Sequence, residues 1–200
     1  MPATPSETGS RLRQSIRWTD ATRRLPADSM PLLMLTHTLH EQANLFRLRL
    51  KSNQLRILAL DSQLRAGGPT VWQDGAYQVD RTGTIGFLEG DTEHLLSLIN
   101  RVGEAFNALV AKNPQHDRLV TFERRRHAWF RIVNDLRNDI EHVVREVVRG
   151  NRSAVLGYDA SRLYYATAGA RNAGRQVELI PQLVEEFDNI WEEFLQALES

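Results

Sequence analysis

The stretch DLRNDIEHVVREVV, residues 135–148, sets Arg137, Asn138 and His142 within six positions of one another. Each side chain has a distinct chemical use. The imidazole of His142 titrates near neutral pH, so it can act as a general base or a general acid. Arg137 presents a planar fork of donors suited to a phosphate. Asn138 can orient the imidazole or donate to a phosphate oxygen. Asp139 and Glu141 flank the group and would repel an anion unless neighbouring arginines offset them. The ordinary alternative is a solvated helix face with a Glu141–Arg145 pair one turn apart.

The helix that carries these residues fixes their directions. Leu119, Phe122, Trp129, Val133, Leu136, Ile140, Val143, Val144 and Val147 form one apolar stripe at about 100° per residue. With Ile140 at its centre, Arg137 lies about 60° to one side, Asn138 at about 160° and His142 at about 200°. Asn138 and His142 therefore share a face that turns away from the core. A group pointing into bulk water is screened and unoriented, which makes a poor catalyst. Chemistry on this face requires a cover, and a second copy of the same face across a two-fold axis supplies one.

Around that helix the chain reads as a helical bundle. Residues 1–27, polar and with Pro2, Pro5 and Pro26, are expected to form a flexible N-terminal arm, with room for a short helix around 12–24 carrying Trp18. Residues 28–199 form one helical domain. Asp28 or Ser29 can cap a first helix, with Pro31 in its first turn. Leu32, Leu35, Leu39, Leu45 (or Phe46), Leu50, Leu55, Leu58 and Leu60 then recur at helical spacing, as one helix of about 35 residues or two broken near Ser52–Asn53. Gly67-Gly68-Pro69 ends that run. Residues 67–90 are a Gly-rich insertion in which YQVD and TIGFL could pair as a hairpin around RTG.

Asp91 is expected to cap the next helix, with His94 three residues on and Asn113-Pro114 as its stop. The motif helix follows, from 117 to about 149. A loop leads to a short helix over 161–173. The last helix starts near Pro181 and carries Leu183, Val184, Phe187, Ile190, Trp191, Phe194, Leu195 and Leu198. The expectation is an all-α, up-and-down bundle of four to five main helices.

Composition narrows the classes. Two hundred residues at 42% hydrophobic and 25% charged can bury a core. There are no cysteines, which excludes disulfides and thiolate metal sites. The N-terminus lacks the apolar run of a signal peptide, and no stretch reaches the roughly 18–20 apolar residues of a membrane span. A cytoplasmic protein with no membrane partner is expected. Lysine plus arginine and aspartate plus glutamate each number 25, so no global basic field attracts nucleic acid. Locally, Arg124, Arg125 and Arg126, with Arg145, could form a phosphate track, or a charged solvated turn.

Three other groups are weaker. HTLHE places His37 and His40 at i,i+3 with Glu41, but no clear third ligand completes a metal site. Asn44 or Glu41 could lend a polar group to the motif. Tyr164 and Tyr165 in SRLYY could stack bases or pack on the bundle. Trp129 reads as core.

At RNDIEH the sequence resembles the HEPN family (higher eukaryotes and prokaryotes nucleotide-binding domains). Its signature is an arginine, four to six residues, then a histidine, with a polar residue, often asparagine, after the arginine. Arg137, Asn138 and His142 fit that pattern on a late long helix of an all-α chain. The resemblance extends loosely over residues 28–199. It implies a metal-independent ribonuclease of defence or toxin–antitoxin systems, acting as a homodimer with the two motifs face to face. It implies an RNA substrate, an antitoxin or other regulatory protein as a further partner, and no cofactor. Other members lack activity and serve as binding or scaffold modules. The N-terminal arm and the 67–90 insertion depart from a minimal domain.

Overall fold

The computed structural model describes residues 18, 25–66, 75–148, 152–159, 162–169 and 175–199. For 75–83, 139–148, 152–156, 165–169 and 175–177, with residues 64, 85 and 180, it describes the backbone alone. Four helices and a three-stranded sheet account for nearly all of it: α1 (Met30–Arg65), α2 (Gly75–Lys112), α3 (Asp117–Val148), β1 (Arg152–Tyr158), β2 (Leu163–Gly169), β3 (Arg175–Ile180) and α4 (Gln182–Leu198).

A 3-10 turn, Ala27–Ser29, leads into α1, and Pro31 sits in the first helical turn, where its missing N–H costs nothing. α1 runs unbroken through Ser52 and Asn53 for 36 residues. Its start is fastened to the end of α2. Asn113 donates to the buried Ser29 hydroxyl at 2.9 Å and to the Leu109 carbonyl at 2.8 Å. Asn113 and Pro114 end α2 as the sequence suggests.

The Gly-rich segment departs from expectation. Gly75 to Gly90 continue as the first turns of α2, with neither the RTG hairpin nor a helix start at Asp91. Thr84, Leu88 and Thr92 are buried along this stretch, so its contacts with the bundle outweigh the cost of its glycines. Asp91 is a buried mid-helix carboxylate. It accepts from Arg49 at 2.8 Å and Asn53 at 3.1 Å, tying α2 to α1. Residues 67–74 of the expected insertion lie outside the described residues.

Successive helices run antiparallel. Phe46 meets His94 across α1 and α2, Phe106 meets Phe122 across α2 and α3, and Phe122 meets Phe194 across α3 and α4. His40 on Trp191 closes the ring between α1 and α4. α1 and α3 thus stand at diagonal corners of an up-and-down bundle. The expected apolar set of α4 is buried in full. Phe106, Phe194, Ile99, Leu109, Leu119 and Leu136 fill the centre.

The second departure lies between α3 and α4. The segment read as a loop and a short helix over 161–173 is an antiparallel sheet in the order β1-β2-β3. Register runs from Arg152 opposite Gly169 to Tyr158 opposite Leu163, with a bulge between Leu163 and Tyr164 on the β3 side. Asp159 shapes the first turn by accepting the Arg162 backbone N–H at 2.8 Å. A Cβ on Gly157 would fall 2.2 Å from Tyr164, so glycine admits the cross-strand ring. Tyr158 donates to Asp61 at 2.8 Å and Gln54 to the Asp159 carbonyl at 3.0 Å. The β1–β2 end of the sheet is therefore tied to the C-terminal half of α1, and Leu163 of β2 and Leu179 of β3 are buried. Three odd strands return the chain so that α4 can run antiparallel to α3.

Trp18 and Leu25, from the expected arm, pack on the core: Trp18 stacks on Trp191 at 5.9 Å, and Leu25 is buried. The rest of residues 1–24 lies outside the described residues.

Candidate functional site

α3 positions the motif. Leu136 is buried, so the residues that follow it sit at the edge of the core. Arg137 and Asn138 are both half-buried. The Arg137 Nη2 donates to Asn138 Oδ1 at 3.2 Å. This contact between adjacent residues restricts the guanidinium to one side of the helix. α3 continues without a break to Val148, so His142 stands one turn beyond Asn138 on the same helix. The side chains of Asp139, Glu141, His142 and Arg145 lie outside the described residues.

The expected phosphate track divides. Arg124 and Arg125 are exposed. Arg126 is turned into the bundle against α4. Its Nε donates to Glu193 at 2.9 Å and its Nη1 to Glu186 at 2.6 Å, and its Nη2 also reaches Glu193. Hydrogen bonding to Arg126 holds the Glu193 carboxyl below its ordinary value. The same bonds push Arg126 further above its own. Arg125 stands 3.8 Å from Glu193 as well. A groove of about 260 Å³ at this end, between α3 and α4, is lined by Asp117, Arg118, Arg125 and Glu193 among others. Cations and carboxylates alternate there, which leaves little net field for an anion. From Arg124 to Arg137 is roughly 20 Å along the helix, so these arginines and the motif are separate patches.

The two histidines of HTLHE are spent on packing. His37 meets Trp18 at 4.5 Å. His40 lies flat on Trp191, with Phe187 at 5.5 Å. Burial lowers the His40 pKa below its ordinary 6.5, and the Glu41 hydrogen bond offsets this only in part. Asn44 places its Nδ2 3.4 Å from the His40 ring, and its buried Oδ1 accepts no hydrogen bond from the described residues. Sequence spacing holds the signal for this cluster: His40 shares a helical stripe with Leu33, Thr36 and Ala43, all buried. Among the described residues no group of three or more His, Asp or Glu side chains is placed to hold a metal ion.

Trp129 is partly buried rather than central, edge-on to Phe130 and stacked on Phe187. Tyr164 is half-buried over Gly157; the side chain of Tyr165 lies outside the described residues. Among the described residues no helix is long and apolar enough to cross a membrane. Comparison with family models, with curated proteins and with solved structures finds no match.

Proposed function

We propose that the chain is a HEPN-type RNA endonuclease acting as a homodimer through the Asn138/His142 face. The observation that carries this reading is the Arg137–Asn138 contact at the edge of the core on an unbroken α3. A half-buried guanidinium held by its neighbour is better oriented than a surface arginine, and preorganised charge is what a phosphorane needs. His142 follows one turn later. The 2′-hydroxyl of RNA loses its proton to one imidazole and attacks the adjacent phosphorus. The bond from phosphorus to the 5′-oxygen breaks, and that oxygen takes a proton from the second imidazole. The products are a 2′,3′-cyclic phosphate and a 5′-hydroxyl. Arg137 grips the equatorial oxygens, and Asn138 orients it. A defence or toxin–antitoxin setting, with a regulatory partner, belongs to the same reading.

Incubation of the purified chain with RNA in EDTA tests it. Cleavage leaving cyclic phosphate ends is expected, with loss in His142→Ala and in Arg137→Ala. Cleavage that persists in both variants would sink the assignment.

A second reading, a non-catalytic helical module, draws on Arg126. With that guanidinium committed to α4, the basic track has fewer donors for an RNA backbone. An intact RNA pool in the presence of a stable dimer would favour it.

A further inference from the structure

α1 is apolar on two opposite sides. Thr36, Ala43, Leu50 and Ile57, seven residues apart, are buried against the bundle. Met34, Leu45, Leu48 and Leu55 lie on the other side at a and d spacing, between 48% and 58% exposed. Pro31, Thr38, Glu41, Ser52 and Ala59 complete that stripe, all exposed. This stripe carries one charged residue, Glu41, whereas a helix that only lined one core would carry mostly charged residues there. α3 does so: its exposed positions include Thr121, Arg124, Arg125, Arg131 and Asp135, with Ile132 as the one large apolar side chain among those described.

We infer that the outward stripe of α1 is a self-association seam, occupied by α1 of a second copy of this chain running antiparallel. The stripe is symmetric about a point midway between Leu45 and Leu48. A two-fold axis there sets Leu45 against Leu48 of the second copy, Thr38 against Leu55, and Met34 against Ala59. Charge selects the direction. Glu41 lies in the N-terminal half of the stripe, and Lys51 flanks its C-terminal half. Parallel pairing would set Glu41 against Glu41 and Lys51 against Lys51. Antiparallel pairing brings Glu41 beside Ser52 and Lys51 of the second copy. The stripe spans Pro31 to Ala59, roughly 42 Å at the α-helical rise, which suits a long two-helix contact.

The seam lies on the corner of the bundle diagonal to α3, so it leaves the Asn138/His142 face uncovered. It does not depend on the ribonuclease reading. If both faces pair, two unlike two-fold contacts build a tetramer or an open chain of subunits.

The mass of the full chain in solution tests the seam, by sedimentation or light scattering across a concentration series. The double variant Leu45→Glu/Leu48→Glu is expected to halve the assembly mass with its helical circular dichroism unchanged, since both positions are exposed. His142→Ala is expected to leave this step as it is. Because the chain has no cysteine, a second test is direct. Mixing Thr38→Cys with Leu55→Cys protein under oxidation should give a disulfide-linked dimer, whereas Thr38→Cys alone should stay unlinked. A wild-type monomer at all concentrations, an unchanged mass in the double variant, or cross-linking of Thr38→Cys to itself would each overturn the inference.

Discussion

His40 of α1 lies flat against Trp191 of α4, with ring centroids 3.8 Å apart and planes 8° from parallel. The imidazole is almost wholly enclosed, and burial keeps its folded-state pKa below 6.5. The unfolded chain then takes up the proton more readily than the folded one. Stability from this group is complete above the unfolded pKa and falls as pH drops below about 6.5 toward the folded value. The limiting slope for one proton is about 1.4 kcal/mol per pH unit. His40→Phe keeps an aromatic ring on Trp191 and removes the titration. Melting curves from pH 7.5 to 5.5 should show a shallower pH dependence in the variant than in the wild type. Equal dependence would place the sensitive group elsewhere.

The glycines of α2 should divide by their surroundings. A methyl group at Gly86 or Gly90 meets nothing within 4 Å, so alanine at either is expected to stabilise the helix by about 0.5–1 kcal/mol. At Gly103 the same methyl falls 2.6 Å from Cδ1 of Phe130, a ring packed on Phe106. Gly103→Ala is expected to lose about 1–3 kcal/mol of packing, more than its helix propensity returns. Chemical denaturation of the three variants checks this. If the segment around Gly86 and Gly90 were a hairpin, both alanines would destabilise.

Arg126 should behave as a structural residue. Its removal leaves Glu186 and Glu193 without their shared counter-charge. Arg126→Ala is expected to cost about 1–2 kcal/mol, given that the group is partly solvated. Arg124→Ala should change stability by less than about 0.5 kcal/mol. The wild type also gains stability from Glu193 above the ordinary carboxylate range, which it loses as pH falls through the depressed value. Acid denaturation of Arg126→Ala should lack that component.

On the ribonuclease reading, geometry at Arg137 matters beyond its charge. Lysine keeps the charge but offers no planar fork for Asn138 to hold. Arg137→Lys is expected to lower kcat/KM roughly 10–100-fold, a barrier change of about 1.4–2.7 kcal/mol. Asn138→Ala should show a smaller loss of the same kind. Cleavage rates on a single-stranded RNA, with circular dichroism to check folding, give the comparison.

Amphipathic spacing carried the helical plan into the sequence. α4 was legible residue by residue, because its apolar stripe is wide and the remainder is strongly acidic. The Gly-rich start of α2 was not legible. Glycine signals a turn locally, and only burial of Thr84 and Leu88 against the bundle makes the segment helical. The sheet was missed for the opposite reason. β1 and β2 are short and mix alanine and glycine with tyrosine and valine, so neither period stood out. In the site, adjacency alone gave Arg137 and Asn138 as neighbours. That Arg126 would turn inward could not be read from ERRRH, since it depends on Glu186 and Glu193 about sixty residues later. HTLHE offered His37 and His40 at helical spacing with no third ligand, and the Trp191 ring against His40 belongs to a helix about 150 residues later.

The order of synthesis gives α4 a further role. It carries Phe187, Trp191 and Phe194, which close the core against the three earlier helices. A nascent chain that has emerged only through β3 holds α1, α2 and α3 with their inner faces wet. A chain ending before Gln182 therefore exposes the apolar surface that α4 covers, and such surface makes an unfinished bundle prone to aggregate.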